Sequence, residues 1–234
     1  MSSKESRGSK ESRGWGAGAV ATTLVLVRHG VTKHTAAKAF SGGLGGDNPP
    51  LTQEGREQVM LTAEWLKPLA PSVSTVVTSP VLRTVETGEI VAGALGARLV
   101  EEPAFAEIEF GEWEGLTFGE VAQRFPDEMK TWMGATEVAP PGGESFDSAQ
   151  ARVLDGLSRV LEAHAGETVV ITSHVSPIKL IVAHALGAPI GGVFNMELSP
   201  ASATVVSFFS DGRASMRLFN GLPVSRDHFA ANTF

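Results

Sequence analysis

Short hydrophobic runs alternate along the chain with longer amphipathic segments. The first run, Leu24–Val27, is followed directly by Arg28, His29 and Gly30. A run of apolar, mostly β-favouring residues predicts a strand buried within a parallel sheet. Ligand sites in open α/β sheets lie just beyond the carboxyl ends of the strands, so Arg28 and His29 are predicted to face a ligand. Gly30 allows the backbone to turn sharply there.

The remaining pattern predicts an alternating order of strands and helices. Strands are predicted at 73–78, 98–100, 168–173, 203–209 and 214–219, the last two forming a hairpin. Helices are predicted at 51–69, 79–95, from 117, 126–134, 145–164 and 176–187, and a glycine-rich loop at 31–50. This order predicts an α/β fold with three layers. Its mostly parallel central sheet has helices on both faces, an antiparallel edge hairpin and a small helical lid around 101–145.

Three helix starts carry capping signals. Ser79 is followed by Pro80, which predicts that Ser79 caps a helix whose first residue is the proline. Thr117 and Glu120 have the spacing of a capping box. Ser145 is placed to cap the long helix that follows it.

The N-terminal residues are polar and repetitive, because the hexapeptide Ser3–Gly8 recurs as Ser9–Gly14. Such a low-complexity segment cannot bury a core, so residues 1–21 are predicted to be a disordered linker or tail. Residues 22–222 are then the folded domain, and residues 223–234 form a C-terminal tail. A linker of this kind suggests fusion or tethering to an N-terminal domain.

Composition narrows the classes of function. The 234 residues are 42% hydrophobic and 19% charged, which suits one good-sized core. The net charge of −7 argues against nucleic acid as a partner, because nonspecific binders carry a basic surface. The sequence has no cysteine, which excludes disulfides and thiol chemistry and suits a reducing cytoplasm. No apolar run is long enough to span a membrane, and no cluster has metal-ligand spacing, so neither a membrane nor a metal ion or cofactor is expected.

Charged residues follow the predicted strand ends at four places: Arg28 with His29, Arg83, an acidic loop holding Glu107 and Glu109, and His174. Two arginines provide forked donors that match a phosphoryl group, and helix N-termini add backbone donors. A histidine that is largely unprotonated at neutral pH can be a nucleophile, and a nearby carboxylic acid can protonate a leaving oxygen. Together these residues suit phosphoryl transfer.

A series of ordered motifs carries a resemblance to a known family. The motifs are Leu26–Gly30, Phe40–Gly42, Pro50–Gln58, Ser79–Thr84, Glu107–Gly115, Pro141–Ser145 and Ser173-His174. On these motifs, which extend over roughly residues 23–222, the chain resembles the histidine phosphatase superfamily, also called the phosphoglycerate mutase-like family. Within it, the chain is most similar to the α-ribazole phosphatase-like branch. More narrowly, it resembles the phosphatase domain of actinobacterial bifunctional ribonuclease H/acid phosphatase proteins.

The resemblance implies a role for each matched residue. His29 matches the nucleophile that becomes phosphohistidine. Arg28, Arg83 and His174 match the phosphate pocket. Glu107 matches the proton donor that later activates water.

Other residues near these positions are candidates as well. Glu109, Glu112 and Glu114 compete with Glu107 for the proton-donor role, since spacing alone does not decide between them. The additional substrate-binding candidates are Thr32, Thr35, Ser41, Gly42 and Val175.

The resemblance implies a phosphomonoesterase of the histidine acid phosphatase type, with a small phosphorylated metabolite as substrate and inorganic phosphate as product. A phosphoglycerate mutase would use the same pocket but needs extra basic residues for the substrate carboxylate. The 101–145 region offers only Arg124 and Lys130 as obvious cations. A non-catalytic phosphate-binding module is the alternative from another class, although every matched catalytic position is filled.

The sequence leaves the substrate open. Val31 stands where many relatives have a polar or acidic residue, and Thr35 where many have an asparagine that touches phosphate. Gly42–Gly46 is longer and more flexible than usual. The sequence allows two interpretations for each of four further side chains. Trp113 and Phe118 either pack in the core or stack on the substrate. Glu144 either caps a helix or contacts the substrate, and His34 lies either in the pocket or on the surface.

Overall fold

The first strand, β1 (Ala21–Arg28), lies inside a six-stranded sheet. The other strands of this computed structural model, which describes residues 18–223, are β2 (Thr75–Thr78), β3 (Arg98–Glu101), β4 (Thr168–Ser173), β5 (Ala203–Phe209) and β6 (Ala214–Gly221). The strand order is β3-β2-β4-β1-β5-β6. The pairs β1–β4, β2–β4 and β2–β3 are parallel, whereas β5 is antiparallel to both β1 and β6. The predicted mostly parallel sheet with an antiparallel edge hairpin is confirmed.

Helices connect these strands in the predicted alternating order. They are α1 (Lys33–Ala37), α2 (Gln53–Leu66), α3 (Leu82–Leu95), α4 (Phe118–Arg124), α5 (Pro126–Trp132), α6 (Phe146–Ala163) and α7 (Val175–Leu186). Helix α1 lies in the segment 31–50 that was predicted to be only a loop. The predicted helix 51–69 is shorter, because its last turn becomes the 3₁₀ segment Lys67–Ser72, which contains two prolines. The region 101–145 that was predicted to be a helical lid contains α4, α5 and the 3₁₀ turns Pro103–Phe105 and Gly111–Trp113.

The two faces of β1 explain the three-layer arrangement. Successive side chains of a strand point to opposite faces of the sheet. Leu24 and Leu26 pack in one hydrophobic cluster, which includes buried residues of α6 and α7. Val25 and Val27 pack in the other, with buried residues of α2 and α3. Because helices cover both faces, β1 is a continuous apolar run rather than an alternating one.

The capping predictions have mixed outcomes. The Thr117–Glu120 capping box is present, and the Ser145 side chain accepts a hydrogen bond from the N–H of Ser148. The prediction for Ser79-Pro80 is wrong, because α3 begins at Leu82 with Val81 as its N-cap. The Ser79 hydroxyl lies before the helix, where it accepts a hydrogen bond from the N–H of Val81 and lies 2.9 Å from Nε2 of His174.

Both predicted tails lie almost wholly outside the described residues. Residues 1–17 of the predicted linker and 224–234 of the predicted C-terminal tail are not described, so those boundaries stay predictions. The sheet itself begins at Ala21, one residue before the predicted start of the domain, and ends at Gly221. Within residues 18–223, no helix has the length and apolar character needed to cross a membrane.

Two glycines hold the chain after β1 against the start of α2. A Cβ added to Gly30 would lie 2.3 Å from the carbonyl oxygen of Gly55, and one added to Gly55 would lie 2.1 Å from that of Val31. The Val31 carbonyl also accepts hydrogen bonds from the N–H and hydroxyl of Thr52, the N-cap of α2. This backbone approach fixes the direction in which the chain leaves β1 beside His29.

We expect Gly55→Ala to lower the free energy of unfolding by about 3 kcal/mol, because a backbone carbonyl cannot move aside as a flexible side chain can. The matched control is Gly93→Ala in α3, where an added Cβ would meet no described atom within 4 Å. That change should raise the free energy of unfolding by about 0.5–1 kcal/mol through helix propensity. Urea denaturation of both variants measures the effects, and similar values for the two would contradict the close approach.

Candidate active site

Three neighbouring strands end at the same edge of the sheet and bring the candidate residues together. In the parallel register, Arg28 of β1 lies beside Ser173 of β4, and Thr172 of β4 lies beside Thr78 of β2. The residues that follow these strands are therefore neighbours in space. This edge is where open α/β sheets place their ligand sites.

His29 is held with one ring nitrogen free of a proton. Its Nδ1 lies 2.8 Å from the carbonyl oxygen of Gly30, which can only accept, so Nδ1 carries the proton. Its Nε2 then accepts a hydrogen bond from Nε of Arg83 at 3.3 Å. Burial, and the charges of Arg83 and Arg28, hold the pKa of His29 well below 6.5. A neutral ring with its lone pair on Nε2 is the form required of a nucleophile.

Arg83 and Arg28 are held by backbone carbonyl groups. Nη2 of Arg83 donates to the carbonyl oxygens of Ser41 and Gly42, at 3.2 and 2.8 Å. Nη1 of Arg28 donates to the carbonyl oxygen of Leu198 at 2.5 Å. Burial lowers the pKa of Arg83, and it lowers the pKa of Arg28 to about 10, so both remain cationic at neutral pH. Nη1 of Arg83 and Nε of Arg28 are buried with no hydrogen-bond partner within the described part of the chain.

His174 lies beside His29 and is fully buried. The two ring centroids are 5.3 Å apart in an edge-to-face arrangement. Nε2 of His174 lies 2.9 Å from the Ser79 hydroxyl, whereas Nδ1 is buried with no partner among residues 18–223. Burial, reinforced by the charge of Arg83, holds the pKa of His174 well below 6.5.

Glu107 occupies the N-terminus of α7. Its carboxylate accepts hydrogen bonds from the N–H groups of Ile108, Val175 and Ser176, at 3.0 to 3.4 Å. Helix N-termini were expected to donate to the phosphate. At the start of α7, the N–H groups of Val175, itself a substrate-binding candidate, and of Ser176 donate to the Glu107 carboxylate. Glu107 is also the carboxylate that most strongly counteracts the lowering of the pKa of Arg28 and of Arg83.

Arg152 of α6 fastens the loop that carries Glu107. Nη1 donates to the carbonyl oxygens of Ala104 and Ala106, and Nη2 donates to that of Glu107 at 3.2 Å. Glu144 pairs with the same guanidinium at 2.7 Å, so its side chain is a partner of Arg152. Sequence reasoning missed Arg152. Every residue has a backbone carbonyl group, so the residue types in the loop give no sign that an arginine binds there.

The glycine-rich loop is held by two acids from the acidic loop. Glu109 accepts hydrogen bonds from the N–H groups of Leu44 and Gly45, and Glu114 accepts one from Gly42 at 2.7 Å. Burial raises the pKa of Glu114. These two rivals of Glu107 therefore have structural partners, while the third, Glu112, is exposed. The loop predicted to be flexible is tied down at its backbone.

The remaining candidates make different kinds of contact. Thr32 caps α1, and its hydroxyl lies 3.1 Å from that of Thr35, so both engage each other. Ser41 and Gly42 reach the site through their carbonyl groups on Arg83. Trp113 is fully buried in an aromatic cluster, which is the core interpretation.

Phe118 and His34 were each given two interpretations from the sequence. Phe118 is half exposed and stacks on Phe40 with ring centroids 4.5 Å apart. His34 is mostly buried between Asp47 and Glu114, with ring nitrogens 3.4 and 3.9 Å from their carboxylate oxygens.

The family follows from comparison with known proteins. Residues 24–221 match the Histidine phosphatase superfamily (branch 1). The chain belongs to the histidine phosphatase superfamily, as its motifs predicted.

The chain is similar to individual proteins of known sequence or structure. Bifunctional protein Rv2228c of Mycobacterium tuberculosis is 39% identical over 213 residues, which cover 91% of this chain and 57% of that protein. The chain thus spans little more than half the length of that relative. Phosphoserine phosphatase 1 of Hydrogenobacter thermophilus is 29% identical over 184 residues, covering 78% of this chain and 85% of the relative. The solved α-ribazole phosphatase of Shigella flexneri shares the fold with a TM-score of 0.75, at 24% identity over 85% of this chain and 96% of that one.

The buried neutral histidines make stability depend on pH. Below about pH 6.5 the unfolded chain binds protons at His29 and His174 that the native protein does not bind, because the native pKa values are lowered. The free energy of unfolding should therefore be greatest above that pH and fall on acidification. We expect a slope of up to about 1.4 kcal/mol per pH unit for each histidine.

Urea unfolding between about pH 7.5 and 5.5 measures this slope. His29→Gln should reduce this slope by the contribution of one histidine. The matched control is His184→Gln on the exposed side of α7, which should leave the slope as it is. A slope that His29→Gln does not reduce would contradict a neutral His29.

Proposed function

We propose that this chain is a phosphomonoesterase that hydrolyses a small phosphorylated metabolite through a phosphohistidine at His29. The observation that carries the proposal is a set of three unpaired nitrogen atoms on the residues that surround His29. Arg28 Nε, Arg83 Nη1 and His174 Nδ1 are all buried without partners in the described residues. Unpaired buried donors are costly, and an anionic phosphoryl group would satisfy them.

In the first step, the lone pair of His29 Nε2 attacks phosphorus and forms an N–P bond. The bond from phosphorus to the ester oxygen breaks, and that oxygen takes the proton of the Glu107 carboxylic acid. Arg28, Arg83 and His174 hold the phosphoryl oxygens and stabilise their charge in the transition state. Because Arg83 also donates to Nε2, it must shift from the ring to the phosphoryl group as substrate binds.

In the second step, the ionised Glu107 takes a proton from water as the water oxygen attacks phosphorus. The N–P bond breaks, its electron pair returns to His29 Nε2, and inorganic phosphate is released. The hydrogen bonds from the N–H groups of Ile108, Val175 and Ser176 hold the Glu107 side chain in one position for both proton transfers.

The wider setting belongs to the same proposal. The two arginines and two histidines supply the charge and the nucleophile, so the chemistry as proposed calls for no metal ion or cofactor. The absence of cysteine fits a cytoplasmic location. The hexapeptide repeat, together with a bifunctional relative, supports tethering to a further domain. A relative that is a phosphoserine phosphatase supports hydrolysis of a small monoester.

We expect His29→Ala to lower kcat by about 10³-fold or more on an aryl phosphate, because no other group would form the N–P bond. Brief exposure of the wild-type protein to a radiolabelled phosphate ester should leave an acid-labile, alkali-stable label on the peptide that contains His29. His184→Ala, which changes an exposed histidine of α7, should leave kcat unaffected.

The same experiment separates the alternatives. A phosphoglycerate mutase would form the label but transfer it to a second hydroxyl, and a coupled mutase assay would detect that product. A non-catalytic phosphate-binding module would release no phosphate and form no label. Label at a residue other than His29 would overturn the proposed nucleophile.

We expect Glu107→Gln to affect leaving groups unequally. Alkyl phosphates need a proton on the leaving oxygen, so their kcat/KM should fall by about 10²- to 10⁴-fold. p-Nitrophenyl phosphate has a good leaving group, so the variant should release one equivalent of nitrophenol rapidly and then turn over slowly, with phosphohistidine accumulating. Stopped-flow absorbance measures the burst.

Glu112→Gln is the matched control, because Glu112 is an exposed acid of the same loop. It should behave like the wild-type protein on both classes of substrate. Equal losses for both leaving groups in Glu107→Gln would assign the proton donor to another residue.

A further inference from the structure

Ser79 makes a contact that neither its motif nor the reaction steps above explain. Its Oγ lies 2.9 Å from Nε2 of His174, and both side chains are buried. The serine is rigidly placed, since its N–H donates to the carbonyl oxygen of Thr172 and its own carbonyl accepts from the hydroxyls of Thr78 and Thr84. Such anchoring gives the hydroxyl a fixed position against the ring.

The direction of the hydrogen bond follows from the other neighbour of the hydroxyl. The N–H of Val81 donates to Oγ of Ser79 at 3.3 Å, which uses a lone pair of that oxygen. The hydroxyl proton has the ring nitrogen of His174 as its remaining partner within hydrogen-bond distance among the described residues. Ser79 therefore donates to Nε2, and this requires a lone pair on Nε2.

A lone pair on Nε2 determines what His174 offers to the site. The ring is neutral, because burial and the charge of Arg83 hold its pKa well below 6.5, so it carries a single proton. With Nε2 accepting from Ser79, that proton must lie on Nδ1. Nδ1 is the buried nitrogen without a partner in residues 18–223. A lone pair there would repel phosphoryl oxygens, whereas an N–H donates to them.

We propose that Ser79 is a positioning residue that selects the Nδ1–H tautomer of His174, so that a neutral histidine donates a hydrogen bond to the phosphoryl group. The effect on turnover rests on the proposed phosphatase function. The tautomer itself does not, because it is a property of the protein without substrate.

The experiment reads the tautomer directly. Nitrogen-15 NMR of the full chain at neutral pH distinguishes a protonated from an unprotonated Nδ1 of His174, with the signals assigned from His174→Gln. The wild-type protein should show a protonated Nδ1. Ser79→Ala should shift the ring toward protonated Nε2, and Ser79→Thr, which keeps the hydroxyl, should restore the wild-type signals.

Binding and kinetics measure the consequence. We expect Ser79→Ala to raise the Kd for inorganic phosphate by about 10- to 100-fold, which is the loss of one hydrogen bond to a charged ligand. It should also lower kcat/KM for p-nitrophenyl phosphate, with partial rescue in Ser79→Thr. The matched control is Ser207→Ala, which removes another buried hydroxyl, paired with Thr23 at 2.9 Å near the opposite end of β1. That variant should keep the wild-type tautomer and phosphate affinity.

Each outcome decides the proposal. A protonated Nε2 in the wild-type protein would overturn it even if Ser79→Ala failed to fold. A protonated Nδ1 that persists in folded Ser79→Ala, or an unchanged phosphate Kd, would also overturn it. If the tautomer shifts as expected but no variant and no wild-type protein hydrolyses phosphate esters, the phosphatase proposal fails and the assignment of Ser79 stands.

Discussion

Arg28 and Arg83 bring two positive charges into a largely buried site, and the surrounding structure depends on how those charges are held. Carbonyl groups of Ser41, Gly42 and Leu198 accept from the guanidinium groups. Glu107 supplies the opposing charge that counts most for both arginines. These partners come from three different loops, so the two arginines connect three loops at this edge of the sheet. Nε of Arg28 and Nη1 of Arg83 remain buried without a hydrogen-bond partner among the described residues, and the proposed function gives them an anionic ligand.

The same two charges set the state of the histidines. Their field and the burial lower the pKa of both rings, so the proton that each ring retains is placed by a neighbour. For His29 that neighbour is the carbonyl of Gly30, which leaves Nε2 without a proton. For His174 it is the hydroxyl of Ser79. The two rings therefore differ in what they present: His29 has a lone pair on Nε2, and His174 has an N–H donor at Nδ1.

Much of the fold was predictable because the local signals agree with the tertiary structure. The apolar run of β1 and the hairpin around Asp211-Gly212 reflect burial and turn geometry, both of which act over short distances. The failures occur where a distant partner overrides a local preference. Ser79 has a good capping sequence, yet His174 of a different strand end takes its hydroxyl. The loop around Gly42 was predicted from its glycines alone, whereas its backbone is bonded to two glutamates more than sixty residues away.

The order of charged residues after apolar strands predicted phosphoryl transfer, and the ordered motifs carried the resemblance to the family that the comparison then confirmed. That information is local, because each strand end carries its own residue and the parallel sheet needs only to bring the ends together. Only the tertiary structure decided which hydrogen bonds those residues make. It assigned the amides of α7 to Glu107, the acidic-loop carbonyls to Arg152 and the Ser79 hydroxyl to His174. Hydrogen bonds need their atoms at close distance and suitable angles, and a sequence does not specify such distances between residues that lie far apart along the chain.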